Sequence, residues 1–231
     1  RVHDPLPLFA IGKSPTAEAE AFVKFALPKF RGKPFAIIDD GSLHGRSLSD
    51  DIRLLGEQAG FKPATVANFR PLQTTQRTLI RRLQRSGVQA IVLAAAPEDA
   101  VTILKDMAGL NLKWPVAVGE QAALLPLMDG AESITGDLLM VLERHPDISN
   151  SGVFATLPPI ITEGAKLSVL HGYMLVEIAA QMLASKNLKL EGRRFDTELG
   201  PLTFGQDGRA TLAPFALYRW NGTEPILMGG N

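Results

Sequence analysis

Short apolar runs alternate with amphipathic helical patterns between residues 34 and 119. The runs are rich in branched side chains and begin near residues 35, 64, 90 and 115, a spacing of about thirty residues or slightly less. This spacing is typical of βαβ units. Because the runs are apolar at consecutive positions, they predict parallel strands covered by helices on both faces. We therefore predict an α/β fold with a doubly wound parallel sheet.

The helices between these runs are predicted from apolar residues with a 3.6-residue period. Gly60 and Gly87 are expected to end the first two helices in a left-handed conformation, and Pro97 suits the first turn of the third. An additional helix, Ala17 to Leu27, is expected to pack on the first edge of the sheet. The predicted buried positions are Leu48, Ile52, Leu55 and Ala59 in the first helix, Leu79, Ile80 and Leu83 in the second, and Ala100, Val101, Leu104 and Ala108 in the third.

The plan changes after Gly130. A strand is predicted at 133–141, an irregular stretch at 145–163 and a long helix at about 165–185. That helix is apolar on more than one face, so it requires cover on several sides. Two or three strands follow, around turns at Asp207-Gly208 and Asn221-Gly222, dipeptides that favour hairpins. We predict them at 200–204 and 214–220, with a third strand possible after the last turn.

Composition excludes several classes of protein. Hydrophobic residues make up 45% and charged residues 21%, which is enough apolar surface to exclude disorder as the main state. Lys+Arg and Asp+Glu are both 24, and this balance argues against a nucleic-acid partner. The absence of cysteine excludes disulfides and thiolate metal sites. No apolar run is long enough to span a membrane. The chain starts at Arg1 without a visible signal peptide, so we expect a trimmed or processed chain.

Polar side chains follow the predicted strands at their carboxyl ends, where open parallel sheets bind ligands. Arg70 is suited to a carboxylate, and Glu98 to an ammonium group if the ligand is an amino acid. The candidate ligand-binding residues are Asp40, Leu43, His44, Phe69, Arg70, Glu98, Glu120 and Gln121.

Each candidate also has a purely structural explanation. The carboxylates of Asp39 and Asp40 can cap the next helix or accept hydrogen bonds from loop amides. A surface arginine such as Arg70 more often pairs with a nearby acid. His44 in a polar loop is more often a surface residue, and the two candidate glutamates lie where a helix dipole favours a negative charge.

The sequence contains no recognisable catalytic motif. The chain contains neither a G-x-S-x-G motif nor a P-loop nor a dinucleotide fingerprint, and its four histidines share no metal-ligand spacing. We therefore expect no catalysis, no cofactor and no metal. The alternative is a flavodoxin-like, metal-dependent enzyme in which Asp39 and Asp40 hold magnesium.

Two segments resemble a known family. FAIIDD at 35–40, followed by Leu43-His44-Gly45, resembles the strand, Asp-Asp, aromatic-Gly segment of type I periplasmic binding proteins, and more narrowly of the branched-chain amino acid receptors of ABC transporters. LGPLTF at 199–204, with Asp207-Gly208, resembles the closing motif of that family. His44 stands where the family often has an aromatic residue, so leucine-like amino acids and aromatic or other organic acids both remain open as ligands.

The resemblance implies two α/β lobes joined by crossing segments, with the ligand between them. The opening sheet of the first lobe has no match in this chain. The implied domains are a crossing segment at 1–12, the second lobe at 13–142, a crossing segment and a helix that packs on the first lobe at 143–198, and returning strands at 199–231.

The function implied by the resemblance is capture of a small molecule. The chain would be a periplasmic solute-binding protein that delivers an amino acid or organic acid to an ABC transporter permease. A ligand-sensing regulatory domain with the same fold is the second hypothesis, and the metal-dependent enzyme is the third. Fold alone does not choose between them.

Overall fold

The chain divides into two compact units in a computed structural model. The structure describes residues 10–11, 16–134, 136–144, 152, 156, 163–186, 190–198, 200–206, 208–210 and 215–229. The larger unit contains Pro15–Glu143 and Phe215–Asn231. The smaller unit contains Arg1–Ser14 and Arg144–Pro214.

The elements are numbered in chain order. The strands are β1 (Ala10–Ile11), β2 (Phe35–Asp39), β3 (Thr65–Asn68), β4 (Ala90–Ala94), β5 (Val116–Val118), β6 (Leu138–Glu143), β7 (Arg194–Thr197), β8 (Gly200–Thr203), β9 (Arg209–Ala210), β10 (Phe215–Trp220) and β11 (Pro225–Gly229). The α-helices are α1 (Ala17–Ala21), α2 (Leu43–Gln58), α3 (Arg77–Arg85), α4 (Pro97–Gly109) and α5 (Glu163–Ser185). A π-helical turn (Phe22–Ala26) and a 3-10 turn (Leu27–Phe30) continue α1, and further 3-10 turns are Glu120–Leu127 and Ala131–Ser133.

The larger unit is built on a seven-stranded sheet in the order β11-β10-β6-β5-β4-β2-β3. Five neighbouring strands, from β6 to β3, are parallel, and the β10–β11 hairpin adds two antiparallel strands beside β6. The predicted α/β fold with a mainly parallel sheet is confirmed. Because β2 lies between β3 and β4, the winding direction reverses between β2 and β4. Such a reversal is where open α/β sheets bind ligands.

Helices cover both faces of this sheet, as the apolar strands predict. Ile38 packs in one core with α3 and α4. Its neighbour Ile37 packs in the other core with α2 and the segment that begins with α1. Successive strand residues point to opposite faces, so a fully apolar strand supplies both cores.

Several details of the predicted helices and strands are wrong. The segment from Ala17 does not pack at the first edge of the sheet, because it lies across one face against β6, β10 and α2. The outer strand β3 is only partly covered, and Val66 is exposed. Ala59, directly after α2, and Ala108, in α4, are exposed, whereas Ile103 and Met107 in α4 are buried. Helix α3 begins at Arg77 rather than near residue 74, and β6 begins at Leu138, after a 3-10 turn.

The smaller unit has its own core. One face of α5 packs through Met174 and Ile178 against Phe195 and Leu202 of the antiparallel pair β7–β8. Other faces of α5 expose apolar side chains, as its pattern predicts. The exposed residues include Leu175, Val176 and Leu183.

Some predictions fall outside the residues that the structure describes. The predicted crossing segment at 1–12 is described only at 10–11, and the irregular stretch predicted at 145–163 only at 152, 156 and 163. Asp207 of the predicted turn also lies outside them. The roles assigned to the four predicted domains, including an absent first lobe, stay predictions.

Candidate ligand-binding site

Two buried aspartates lie at the carboxyl end of β2, beside the reversal point of the sheet: Asp39 is the last residue of the strand and Asp40 follows it. Asp39 Oδ1 accepts a hydrogen bond from the Gly41 amide at 2.9 Å. Asp40 Oδ1 accepts one from the Ser42 amide, also at 2.9 Å. These two oxygens therefore have the structural role considered above, because they fix the loop that leads into α2.

Gly45 allows α2 to begin close to the strand ends. Ser42 caps the helix, and its Oγ accepts a hydrogen bond from the Gly45 amide at 3.0 Å. A Cβ on Gly45 would overlap Asp40 Oδ1 and lie 3.0 Å from the carbonyl oxygen of Ala94. The first turn of α2 is thus in contact with the ends of both β2 and β4.

An open cavity of about 610 Å³ adjoins the loops after β2 and β3. It contains two exposed arginines, Arg46 and Arg70. In the described part of the chain Arg70 forms no ion pair. The structural explanation given above, in which Arg70 pairs with a nearby acid, is therefore not what these residues show. The residues that line the cavity are Asp40, Gly41, Ser42, Arg46, Asn68, Phe69, Arg70 and Pro71. A guanidinium group suits a small carboxylate, which it can bind through two parallel hydrogen bonds.

A second group of charged side chains lies near the carboxyl end of β5. Glu18 Oε1 accepts a hydrogen bond from the Glu120 amide at 2.7 Å, and its Oε2 lies 3.9 Å from His44 Nε2. Glu120 Oε2 accepts a hydrogen bond from the Glu143 amide at 2.6 Å. His44 is about half exposed. A Cβ on Gly119 would overlap the Glu18 carboxylate.

Sequence analysis missed Glu18, although a signal was present. Glu18 lies one helical turn before Phe22, which is on the predicted buried side of the helix that starts at Ala17. Residues four positions apart share a helix face, so Glu18 is expected to be buried on the same face as Phe22. It is 9% exposed. A buried carboxylate requires hydrogen-bond donors, and the Glu120 amide is one of them.

The remaining candidates follow the parallel strands but do not line the cavity. Glu98 is exposed and lines a separate depression of about 500 Å³ with residues that include Thr74 and Asp129. Gln121 is half-buried in the 3-10 turn after β5, and Leu43, at the start of α2, is 89% exposed. The structure therefore brings Asp40, Phe69 and Arg70 together at the cavity and leaves the other five outside its lining.

Two buried aspartates of α4 were also missed. Asp99 Oδ1 accepts a hydrogen bond from the Leu72 amide at 2.8 Å. Burial raises the pKa of Asp99, and the charges of Asp40 and Glu98 raise it further, while the bond from Leu72 acts in the opposite direction. Asp106 Oδ2 accepts hydrogen bonds from Thr75 Oγ1 at 2.8 Å and from the Gln76 amide at 2.6 Å.

Among the described residues, no group of three or more His, Asp or Glu side chains is arranged to hold a metal ion. None of the described helices combines the length and the apolar character that crossing a bilayer requires.

The fold and its polar strand ends define a class of protein. A family model described as "Periplasmic binding protein" matches residues 7–153, and the chain belongs to this family. The resemblance seen in the two sequence motifs is thereby confirmed.

Curated relatives are more specific in name. The chain is 24% identical to the Leu/Ile/Val-binding protein BraC3 of Rhizobium johnstonii, over 88% of this chain and 58% of that protein. It is 22% identical to the Leu/Ile/Val-binding protein homolog 1 of Brucella abortus, over 85% of this chain and 56% of that protein. The chain therefore spans somewhat more than half the length of these relatives.

Solved structures share the fold. A putative branched-chain amino acid ABC transporter protein from Silicibacter pomeroyi matches 96% of this chain and 66% of its own, with a TM-score of 0.73 and 14% identity. A protein of the same description from Rhodospirillum rubrum matches 94% of this chain and 66% of its own, with a TM-score of 0.67 and 17% identity.

Proposed function

We propose that this chain forms the ligand-holding part of a periplasmic solute-binding protein that captures a small organic acid or amino acid for an ABC importer. The main support is the open cavity at the carboxyl ends of β2 and β3, with Arg46 and Arg70 in its lining. Family membership and relatives named Leu/Ile/Val-binding proteins add to it. The permease partner and the periplasmic location are parts of the same proposal.

Arg70 is the proposed anchor for a carboxylate. A guanidinium binds both oxygens of a carboxylate at once, which fixes orientation as well as supplying binding energy. Asp40 shapes the loop after β2 at the cavity, because its buried carboxylate accepts a hydrogen bond from the Ser42 amide. We also propose that neighbouring loops contact larger ligands or the amino group of a ligand. The residues concerned are Leu43, His44, Glu98, Glu120 and Gln121.

The ligand class is not fixed by the relatives. One solved neighbour is described as an ABC transporter substrate-binding protein in complex with Leu, from Desulfitobacterium hafniense. Another is described as a fatty acid ABC transporter substrate-binding protein, from Thermomonospora curvata. Leucine and fatty acids both carry a carboxylate, which is the group we assign to Arg70.

Affinity for a ligand held by one open wall is expected to be weak. Its polar contacts compete with water, so each contributes about 1 kcal/mol. We expect dissociation constants near 1 mM, equivalent to about −4 kcal/mol. Closure of a second lobe over the ligand would raise the affinity, and a full-length parent protein would then bind at about micromolar concentration or better.

An NMR titration tests the proposal. The isotope-labelled 231-residue chain is titrated with leucine, isoleucine, valine and benzoate, and shifts of amides around the cavity are followed. Arg70→Ala is expected to weaken binding of the best probe about tenfold, because an ionic hydrogen bond contributes roughly 1.5–3 kcal/mol. Arg82→Ala, at an exposed position on α3, is the matched control and should bind normally.

Two results would contradict the proposal. Equal binding by the Arg70 and Arg82 variants would remove Arg70 from the site. Magnesium-dependent hydrolysis of a phosphate ester, lost in Asp39→Asn, would favour the enzyme alternative.

A further inference from the structure

The loop between β3 and α3 carries Arg70 to the cavity, and side chains from α4 and its own end hold it in place. The Leu72 amide donates to Asp99 Oδ1 at 2.8 Å. Gln76 Nε2 donates to the carbonyl oxygen of Arg70 at 2.8 Å, and the Gln76 amide donates to Asp106 Oδ2. The conformation of this loop therefore depends on carboxylates from a neighbouring helix.

Leu72 would not adopt its conformation on local preference alone. Its φ is +59°, in the left-handed region that residues with a Cβ adopt at an energetic cost. Its side chain is 80% exposed, so little apolar burial offsets that cost. Among the described contacts of the Leu72 backbone, the hydrogen bond from its amide to Asp99 favours this left-handed conformation.

Asp99 is an unusual residue to find at this position. It is 2% exposed, and its second oxygen, Oδ2, has no hydrogen-bond partner in the described structure. A buried unpaired carboxylate oxygen destabilises a fold, and such an atom calls for an explanation. An asparagine would offer the same acceptor to Leu72 without the charge. What the charge adds is strength, because a hydrogen bond to an ionised acceptor is about twice as strong as a neutral one.

We propose that Asp99 is a positioning residue whose negative charge holds the Leu72 amide and thereby keeps Arg70 at the wall of the cavity. The consequence for ligand binding rests on the proposed function. The hold on the loop itself does not.

The pKa of Asp99 is raised above the ordinary value of an aspartate. The charged groups that act on Asp99 are Asp40, from the loop after β2, and Glu98, from α4. Burial is the main reason that the pKa of Asp99 is raised, and both of these carboxylates add to it. The β3–α3 loop contributes the Leu72 amide, which opposes the shift. As pH falls, Asp99 is therefore protonated before ordinary surface aspartates, and its hydrogen bond with the Leu72 amide then loses the contribution of the charge.

Hydrogen exchange measured by NMR tests the hold on the loop without any ligand. The variants are Asp99→Asn, which keeps an acceptor, and Asp99→Ala, which removes it. Asp50→Asn is the control, because the Asp50 side chain is 70% exposed on α2. Asp99→Ala should raise the exchange rate of the Leu72 amide about tenfold or more. Asp99→Asn should lie between Asp99→Ala and wild type, and Asp50→Asn should match wild type.

A pH series on the wild-type chain keeps the proposal testable if Asp99→Ala does not fold. The chemical shift of the Leu72 amide proton should titrate together with the carboxyl carbon of Asp99. A Leu72 shift that ignores this titration, or Leu72 exchange unaffected by Asp99→Ala, would overturn the proposal.

Binding of benzoate tests the effect on Arg70. Asp99→Ala should weaken benzoate binding, Asp99→Asn should weaken it less, and Asp99→Ala should add little in a chain that already carries Arg70→Ala. Normal benzoate affinity in Asp99→Ala, beside a weakened Arg70→Ala, would overturn the positioning role. If neither wild type nor any variant binds benzoate or leucine, the proposed function fails, and the Leu72 measurements still decide whether Asp99 holds the loop.

Discussion

Replacing Gly45 by alanine tests how closely α2 approaches the strand ends. Gly45 is in the first turn of α2 and does not have a positive φ. At an open helical position the substitution would be favourable by up to about 1 kcal/mol, because alanine has the higher helix propensity. The structure predicts the opposite sign here, because there is no room for a Cβ.

The magnitude follows from the three oxygens that the new Cβ would meet. It would overlap Asp40 Oδ1 and lie 3.0 Å from the carbonyl oxygen of Ala94 and 3.1 Å from Ser42 Oγ. The Ala94 oxygen is backbone and already accepts a hydrogen bond from the Asp40 amide, so it cannot easily move. Overpacking of this kind costs about 1–3 kcal/mol. Displacing the Asp40 carboxylate also breaks its bond to Ser42, at about 1 kcal/mol. After the gain in helix propensity, we expect a net loss of about 1–3 kcal/mol.

Urea denaturation followed by circular dichroism measures the change in the free energy of unfolding. Gly172→Ala in α5 is the control, because a Cβ there has no atom within 4 Å. It should leave its own unit unchanged or stabilise it by up to about 1 kcal/mol. If Gly45→Ala is as stable as wild type, the close contact between α2 and the ends of β2 and β4 is wrong.

Three other substitutions test buried carboxylates. Glu18→Ala should lower the free energy of unfolding by about 1–3 kcal/mol, because the Glu120 amide loses an acceptor; an unchanged urea midpoint would contradict this. Asp106→Ala should lower the free energy of unfolding by about 2–4 kcal/mol, because Thr75, Gln76 and the side chain of Arg77 all donate hydrogen bonds to Asp106. Hydrogen exchange should then increase in the first turn of α3. Normal protection there would contradict these contacts. Asp99→Asn should stabilise the chain at neutral pH, since a group with a raised pKa in the folded state favours folding when protonated and loses that contribution as pH rises through the raised pKa. The gain from Asp99→Asn should therefore shrink as pH falls, and a gain that is constant with pH would show that charge is not its cause.

The sequence predicts most of the sheet and the order of its helices. The four parallel strands β2 to β5 occur where branched apolar runs predict them. Three of them, β2, β4 and β5, are buried at every position, and a strand buried on both faces has few polar positions to obscure its pattern. Gly60 and Gly87 adopt positive φ after their helices, as expected from the end of each apolar stripe. The hairpin turn at Asn221-Gly222 also forms, with Gly222 at a φ of +105°.

What the sequence does not show depends on partners distant in the chain. The segment from Ala17 packs against β10, which begins about 200 residues later, and no local pattern reveals that neighbour. Asp99 and Asp106 interrupt the apolar pattern of α4, and a charged residue at such a position is more often exposed than buried. They are buried because loop amides at Leu72 and Gln76 require acceptors.

The same limit applies to the candidate site. Position after a strand correctly identified which loops lie at the carboxyl edge, since all the strands concerned are parallel. Position after a strand did not distinguish the residues that line the cavity from Glu98 or Gln121, because the lining depends on how far each loop extends from the sheet. Glu18 precedes the first strand of the sheet and was outside the search altogether.

The arrangement of β10 beside β6 affects how the larger unit is synthesised and folded. Phe215 pairs with Glu143, so about 70 residues must be made between the two partners. During synthesis at roughly 5–20 residues per second, the edge of β6 remains unpaired for several seconds. The side chains of Leu139 and Val141, buried in the finished unit, are then incompletely covered. Long-range pairing of this kind slows folding and prolongs exposure to aggregation. A nascent or truncated chain that ends before β10 is therefore expected to need a chaperone even though its five parallel strands are complete.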